Sequence, residues 1–329
     1  KAISGGSLYE EQIRELAESG ASVAGIYETL AVTDVQEACD VLRPVWQSSD
    51  GVDGYVSLEV SPHLVHDADA SVEEAMRLWE AVDRPNLMVK IPGTPAGIPA
   101  IEQLLFDGVN INVTLLFSIP AYEAVHEAYI RALTRRQEAG RPLGTVASVA
   151  SFFLSRIDVL VDGLLAHRID RTSAEPDGPA ALFGTSAIAS ARLAYRGFET
   201  RVSQDDWQSL VAGGARPQRL LWASTSTKNP LYDPTMYVVP LVGPHTVNTM
   251  PEVTIDAFAA AGEIRPGAIR EGVEEAERVF AALADAGIDM DAVCEQLVNE
   301  GAGKFLDPFD KLIGGLAARR REVLEPRLA

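Results

Sequence analysis

A lysine interrupts the apolar run Asn86-Leu-Met-Val-Lys-Ile-Pro-Gly-Thr94. Burial penalises an ammonium and lowers the pKa of its nitrogen, and the neutral amine is the form that attacks a carbonyl to build a Schiff base. Lys90 therefore fits a covalent nucleophile; the competing reading is a strand-end lysine whose head reaches solvent. The preceding run, Val56-Ser-Leu-Glu-Val60, also sets one ionisable group, Glu59, among apolar neighbours. A buried carboxylate is costly unless it is paired, so Glu59 either handles protons or is satisfied by a neighbouring strand. In Ile111-Asn-Val-Thr-Leu-Leu-Phe-Ser118, a period of two puts Asn112 and Thr114 on one face. Two hydrogen-bonding side chains facing one way suit a site better than a core, unless both bond backbone.

Anion chemistry is suggested further on. In Ala147-Ser-Val-Ala-Ser-Phe-Phe-Leu-Ser-Arg156, Ser151 and Phe153 share a face and Arg156 opens the next helix. A guanidinium beside helical N–H groups makes a phosphate clamp, although a helix-surface arginine is the plainer alternative. Leu221-Trp-Ala-Ser-Thr-Ser-Thr-Lys-Asn-Pro230 presents four hydroxyl residues from Ser224 and then Lys228, either a second phosphate contact or a polar loop.

These residues need a frame that aligns them. Short apolar runs at 55–60, 87–91, 111–117, 146–153, 220–223 and 246–249 read as strands covered on both faces. Helical patterns at about 7–19, 34–42, 72–82, 98–107, 120–139, 155–166, 178–200, 203–212, 266–286 and 302–324 alternate with them. Thr33 with Gln36 and Ser71 with Glu74 have capping-box spacing, and Pro120 suits a first helical turn. The stretches 170–179 and 228–235 read as long connections. Strands alternating with helices predict a parallel α/β sheet. Six strands are two short of a closed (β/α)8 barrel, so the sheet is open or the first two strands precede Lys1.

Net charge at pH 7 is −19 over 329 residues, a field that repels nucleic-acid phosphate, so no nucleic-acid partner is expected. No apolar run reaches the roughly 18 residues of a membrane helix, and no membrane association is expected. Cys39 and Cys294 are too few for a disulfide framework, which points to the reduced cytoplasm. His63 and His66 lack an obvious third ligand, so no metal is expected. Dinucleotide, P-loop and nucleophile-elbow glycine motifs do not occur.

Taken in order, Lys1-Ala-Ile-Ser-Gly-Gly, Asp83-Arg-Pro-Asn-Leu-Met-Val-Lys-Ile-Pro, Asn112-Val-Thr-Leu-Leu-Phe-Ser, Ser148-Val-Ala-Ser-Phe-Phe-Leu-Ser-Arg156, Leu221-Trp-Ala-Ser-Thr and Val247-Asn-Thr-Met-Pro-Glu252 resemble the transaldolase family over essentially the whole chain, nearest its longer actinobacterial-type members. The resemblance implies one (β/α)8 TIM-type barrel domain over 1–329, with C-terminal helices from about 266 to 324 packing on it. It implies a transferase that moves a dihydroxyacetone unit between sugar phosphates, without a cofactor, as a possible homodimer. Lys90 matches the Schiff-base lysine, and Glu59 with Thr114 matches the pair holding a proton-shuttling water. Asn112 matches a substrate-binding asparagine, Ser151 and Phe153 match pocket residues, and Arg156 matches the phosphate-binding arginine. Ser224 and Lys228 stand near a second phosphate contact. The family's first-strand aspartate and second-strand Thr-Asn-Pro motif fall upstream of Lys1, where the full polypeptide is expected to carry them. Gly93 stands where relatives commonly have alanine. A fructose-6-phosphate aldolase-like lyase, a variant transaldolase of a specialised pathway and an inactive sugar-phosphate-binding homologue are the alternatives.

Overall fold

The computed structural model describes residues 8–168 and 179–325. The Lys1–Gly6 motif and nearly all of the connection expected at 170–179 lie outside the described residues. Six strands appear where the apolar runs predict them: β1 Val56–Glu59, β2 Leu87–Pro92, β3 Ile111–Leu116, β4 Ser148–Phe153, β5 Arg219–Ala223 and β6 Thr246–Asn248. All pair in parallel, in sequential order. The helices are α1 Glu10–Glu18, α2 Val23–Ser48, α3 Ala68–Val82, α4 Gly97–Asp107, α5 Ile119–Glu138, α6 Ser155–Arg168, α7 Ser186–Val202, α8 Asp205–Ala212, α9 Glu252–Ala261, α10 Val273–Asp285 and α11 Met290–Leu324. Helices α3 to α8 fill the crossovers from β1 to β5. This is the strand order of a (β/α)8 barrel; among the described residues the sheet is open, with β1 and β6 at its edges.

Burial is complete along β3 and β4 and is broken in β2 only at Lys90. Leu87, Val89 and Ile91 of β2 are fully buried on the side of α3 and α4, whereas Lys90, on the other face, is partly exposed. One apolar cluster joins the sheet to its helices, and a smaller one (Ile13, Ala17, Ile26, Leu30 and Leu316) ties α1 and α2 to the end of α11.

Three helix expectations need correction. Thr33 lies in the middle of α2 and donates to the Thr29 carbonyl, while Ser22 caps the helix by accepting from Gly25 N. Asp67, not Ser71, caps α3, and Glu74 accepts from Ser61 N instead. The helix predicted over 266–286 is interrupted: a 3-10 turn at Ala268–Arg270 is followed by Gly272, whose φ of 67° precedes α10. Pro120 does sit in the first turn of α5.

The last helix departs most from expectation. It starts at Met290 rather than near 302, because Asp289 accepts from the Asp291 and Ala292 N–H groups and caps it. Its 35 residues span about 50 Å. Cys294 donates to the Phe117 carbonyl, Gly301 packs on Leu115, Phe309 packs edge-on to Tyr27, and Leu316 reaches the α1–α2 cluster. Helix α11 is thus a strap across the carboxyl ends of the strands. No helix among the described residues is long and apolar enough to cross a membrane.

Candidate active site

Strand β2 is anchored at its start. Asn86 donates from Nδ2 to the Cys39 and Gly54 carbonyls, and Asn110 donates to the Pro85 and Leu87 carbonyls while accepting from Ala147 N. With β2 so registered, Lys90 is the partner of Glu59 on β1 and of Asn112 on β3. Lys90 Nζ stands 3.4 Å from Glu59 Oε2, and both side chains are partly buried. Burial raises the Glu59 carboxyl above its ordinary value, and the Lys90 charge opposes that rise. A carboxylate raised in this way is a better proton acceptor for work near neutral pH.

Asn112 is held at both ends of its amide. Ser151 Oγ donates to its Oδ1 at 2.7 Å, and its Nδ2 donates to Ser57 Oγ at 3.0 Å. This chain across β4, β3 and β1 fixes the amide orientation next to Lys90. Thr114 Oγ1 is fully buried and has no hydrogen-bond partner in the protein, so its hydrogen-bonding capacity is unused. Strand β3 then bulges between Val113 and Leu116, where Leu115 takes a φ of 61°.

At the end of β4, Phe153 lies against Phe117, and the Arg156 guanidinium lies 5.1 Å from the Phe153 ring centroid. Arg156 Nη1 is buried without a hydrogen-bond partner. Burial lowers the Arg156 pKa, with Glu300 acting in the opposite sense, and the group stays cationic. Ser155, which opens α6, shares a 2.9 Å hydroxyl contact with Ser224 and donates its N–H to the Ser224 carbonyl. Arg156, His167, Lys228, Glu300 and Lys304 line one cavity of about 510 Å³. Lys228 is exposed and bonds Ser226. Its loop is tied to α6 by Tyr232 donating to Asp162 and Tyr237 donating to Asp158.

Of the nine residues singled out in the sequence, Asn112 lies toward the start of β3, and the other eight lie in the later part of β1 to β4 or in the segments that follow β4 and β5. Glu59, Lys90, Asn112 and Ser151 are the most closely joined; Lys228 is the most peripheral. His63 pairs with Asp310, and among the described residues no group of three His, Cys, Asp or Glu side chains is arranged to hold a metal. Sequence reasoning missed Ser57, although its shared face with Glu59 in β1 was legible. It also missed Lys304 and Phe305, whose approach depends on the strap and carries no local signal. Phe305 lies 5.7 Å from Lys90 Nζ and 6.0 Å from the Arg156 guanidinium, measured to its ring centroid.

The transaldolase/fructose-6-phosphate aldolase family profile matches residues 1–316. The transaldolase of Frankia alni is 48% identical over 96% of this chain and 84% of its own length. Transaldolase 2 of a Nostoc species is 44% identical over 97% and 85%, and the transaldolase of Mycolicibacterium paratuberculosis 47% identical over 95% and 83%. With the barrel arc, the strand-borne Lys90–Glu59 pair and these similarities in agreement, the chain belongs to the transaldolase/fructose-6-phosphate aldolase family.

Proposed function

We propose that this protein is a transaldolase, a transferase that carries a three-carbon dihydroxyacetone unit from a ketose phosphate such as sedoheptulose 7-phosphate or fructose 6-phosphate to an aldose phosphate. The observation that carries this reading is the Lys90 amine beside the raised Glu59 carboxyl, with a fixed Asn112 amide on the adjacent strand.

Neutral Lys90 attacks the ketone carbon, and Glu59 with the Thr114 hydroxyl handles the protons as the carbinolamine loses water. The resulting iminium draws in the electron pair of the C3–C4 bond as the C4 hydroxyl gives its proton to a base, the role that the family resemblance assigns to the first-strand aspartate. An aldose phosphate leaves, and an enamine remains on Lys90. Attack of that enamine on the acceptor aldehyde, followed by the same steps in reverse, completes the transfer. Asn112 bonds substrate hydroxyls, and Ser151 and Phe153 shape the pocket. Arg156 holds the phosphate with the Ser224 and Lys228 loop, supplying positive charge that the chain as a whole lacks. The relatives of 42–48% identity carry the name transaldolase, which favours transfer over aldolase-type release to water. Two free buried cysteines suit a cytoplasmic enzyme.

Borohydride reduction in the presence of fructose 6-phosphate tests the reading. It should add a three-carbon adduct to Lys90 in the wild type and nothing in Lys90→Ala. A trapped adduct in the alanine variant, or none in the wild type, defeats it.

A further inference from the structure

The strap helix brings one aromatic ring to both ends of the site. Lys90 Nζ and the Arg156 guanidinium carbon lie 5.7 Å and 6.0 Å from the same Phe305 centroid. They are therefore no further apart than those two distances laid end to end. A molecule joined to Lys90 through its ketone carbon and held by Arg156 through its phosphate brings its middle carbons within reach of this ring. Both nitrogen-bearing groups lie within cation–π range of the one ring.

The helix is built to deliver the ring there. Gly301 precedes Phe305 by one turn, and a Cβ at Gly301 would stand 2.9 Å from Leu115 Cδ2, so the glycine lets the helix pack closely here. Leu297 is buried in the core one turn earlier, and Cys294 donates to the Phe117 carbonyl. Past the ring, His63 pairs with Asp310 on the β1 side of the mouth. The strap is thus pinned on both sides of Phe305, while the ring itself is only partly buried and keeps accessible surface at the mouth.

We propose that Phe305 is a specificity-determining residue that stacks on the carbon chain between ketone and phosphate, matching the site to six- and seven-carbon ketose monophosphates. This rests on the transaldolase reading. A sugar's C–H face is apolar and packs on an aromatic face, whereas an alanine would leave the middle of the substrate against water.

The test is steady-state kinetics of the full chain carrying Phe305→Ala, Phe305→Leu or Phe305→Tyr, with inhibition by inorganic phosphate measured in parallel. The alanine variant should raise KM for fructose 6-phosphate about five- to tenfold, the leucine variant should lie between, and tyrosine should restore the wild-type value. The inhibition constant of inorganic phosphate, which needs Arg156 but has no carbon chain, should stay within twofold throughout. If that constant rises in step with KM, the ring merely positions Arg156 and the proposal is overturned. An unchanged KM in both the alanine and leucine variants overturns it as well. Borohydride trapping on the wild type keeps the two levels apart: with no adduct on Lys90, the reading beneath the proposal fails rather than the role of the ring.

Discussion

Lys90 and Glu59 are register partners on adjacent parallel strands, and their side chains meet at 3.4 Å in a partly buried setting. The pair gives the amine a proton acceptor that needs no loop movement to reach it. Glu59→Gln keeps the shape and removes the acceptor. Turnover should fall by about two to four orders of magnitude, the usual worth of general acid–base catalysis. Single-turnover measurement of adduct formation is the direct check, and a glutamine variant within tenfold of wild type would rule out the role.

The raised Glu59 carboxyl also fixes the sign of a pH effect. As base it must be ionised, so activity should decline as pH falls through a pKa above the ordinary glutamate value. The acid limb of the kcat/KM profile should therefore lie at higher pH than an exposed glutamate would give. A limb within the ordinary glutamate range would separate Glu59 from the rate.

Arg156 combines a buried, unpartnered Nη1 with a position at the opening of α6. Arg156→Gln should raise KM for ketose phosphates about tenfold to a hundredfold, the scale of hydrogen bonds to a charged group. A non-phosphorylated ketose should be affected far less. Lys228→Ala should cost less than Arg156→Gln, because its ammonium is exposed and screened. Equal losses on phosphorylated and non-phosphorylated substrates would dissociate Arg156 from the phosphate.

Asp158 offers a stability measurement apart from catalysis. It is almost fully buried, and burial pushes its carboxyl up to about 6, against hydrogen bonds from Tyr237 and Ala187 N that favour the ionised form. The folded state thus binds this proton more tightly than the unfolded chain. Its contribution to stability is fully present below about pH 4 and lost as pH rises through about 6, roughly 3 kcal/mol in all. Asp158→Asn should remove that slope, so the variant should gain on the wild type as pH rises across this window. Chemical denaturation at closely spaced pH values reads it, and two parallel stability curves would contradict it.

The site was legible wherever a polar side chain stood in a strand, because a two-residue period turns sequence into a face without further information. That is how Lys90, Glu59, Asn112 and Thr114 declared themselves. The same rule applied to Ser57 would have completed the chain through Asn112 to Ser151. Helix boundaries were less legible. Capping-box spacing at Thr33 and Ser71 fell inside longer helices, because the upstream Ser22 and Asp67 offer the same local signal, worth about 1 kcal/mol, and take the capping role. Phe305 was illegible for another reason: it is far in sequence from every residue it faces, and only the strap's path brings it to them.

Gly93 gives the last prediction. It follows Lys90 by three residues, and its N–H donates to the Thr114 carbonyl at 2.7 Å, which draws it tightly against the bulged β3. A Cβ there would stand 2.5 Å from Leu116 Cδ2 and 2.9 Å from Val113 Cγ1, both on fully buried side chains. Gly93→Ala should therefore destabilise the fold by about 1–3 kcal/mol, the usual cost of overpacking a core. It should also disturb Thr114, whose backbone Gly93 holds. Combining Gly93→Ala with Leu116→Val shortens the side chain that blocks the new methyl, so the double variant should recover part of the loss instead of adding to it. Denaturation of the two single variants and the double variant forms a cycle whose coupling should exceed about 0.5 kcal/mol. Strict additivity would mean that the glycine is not set by this contact.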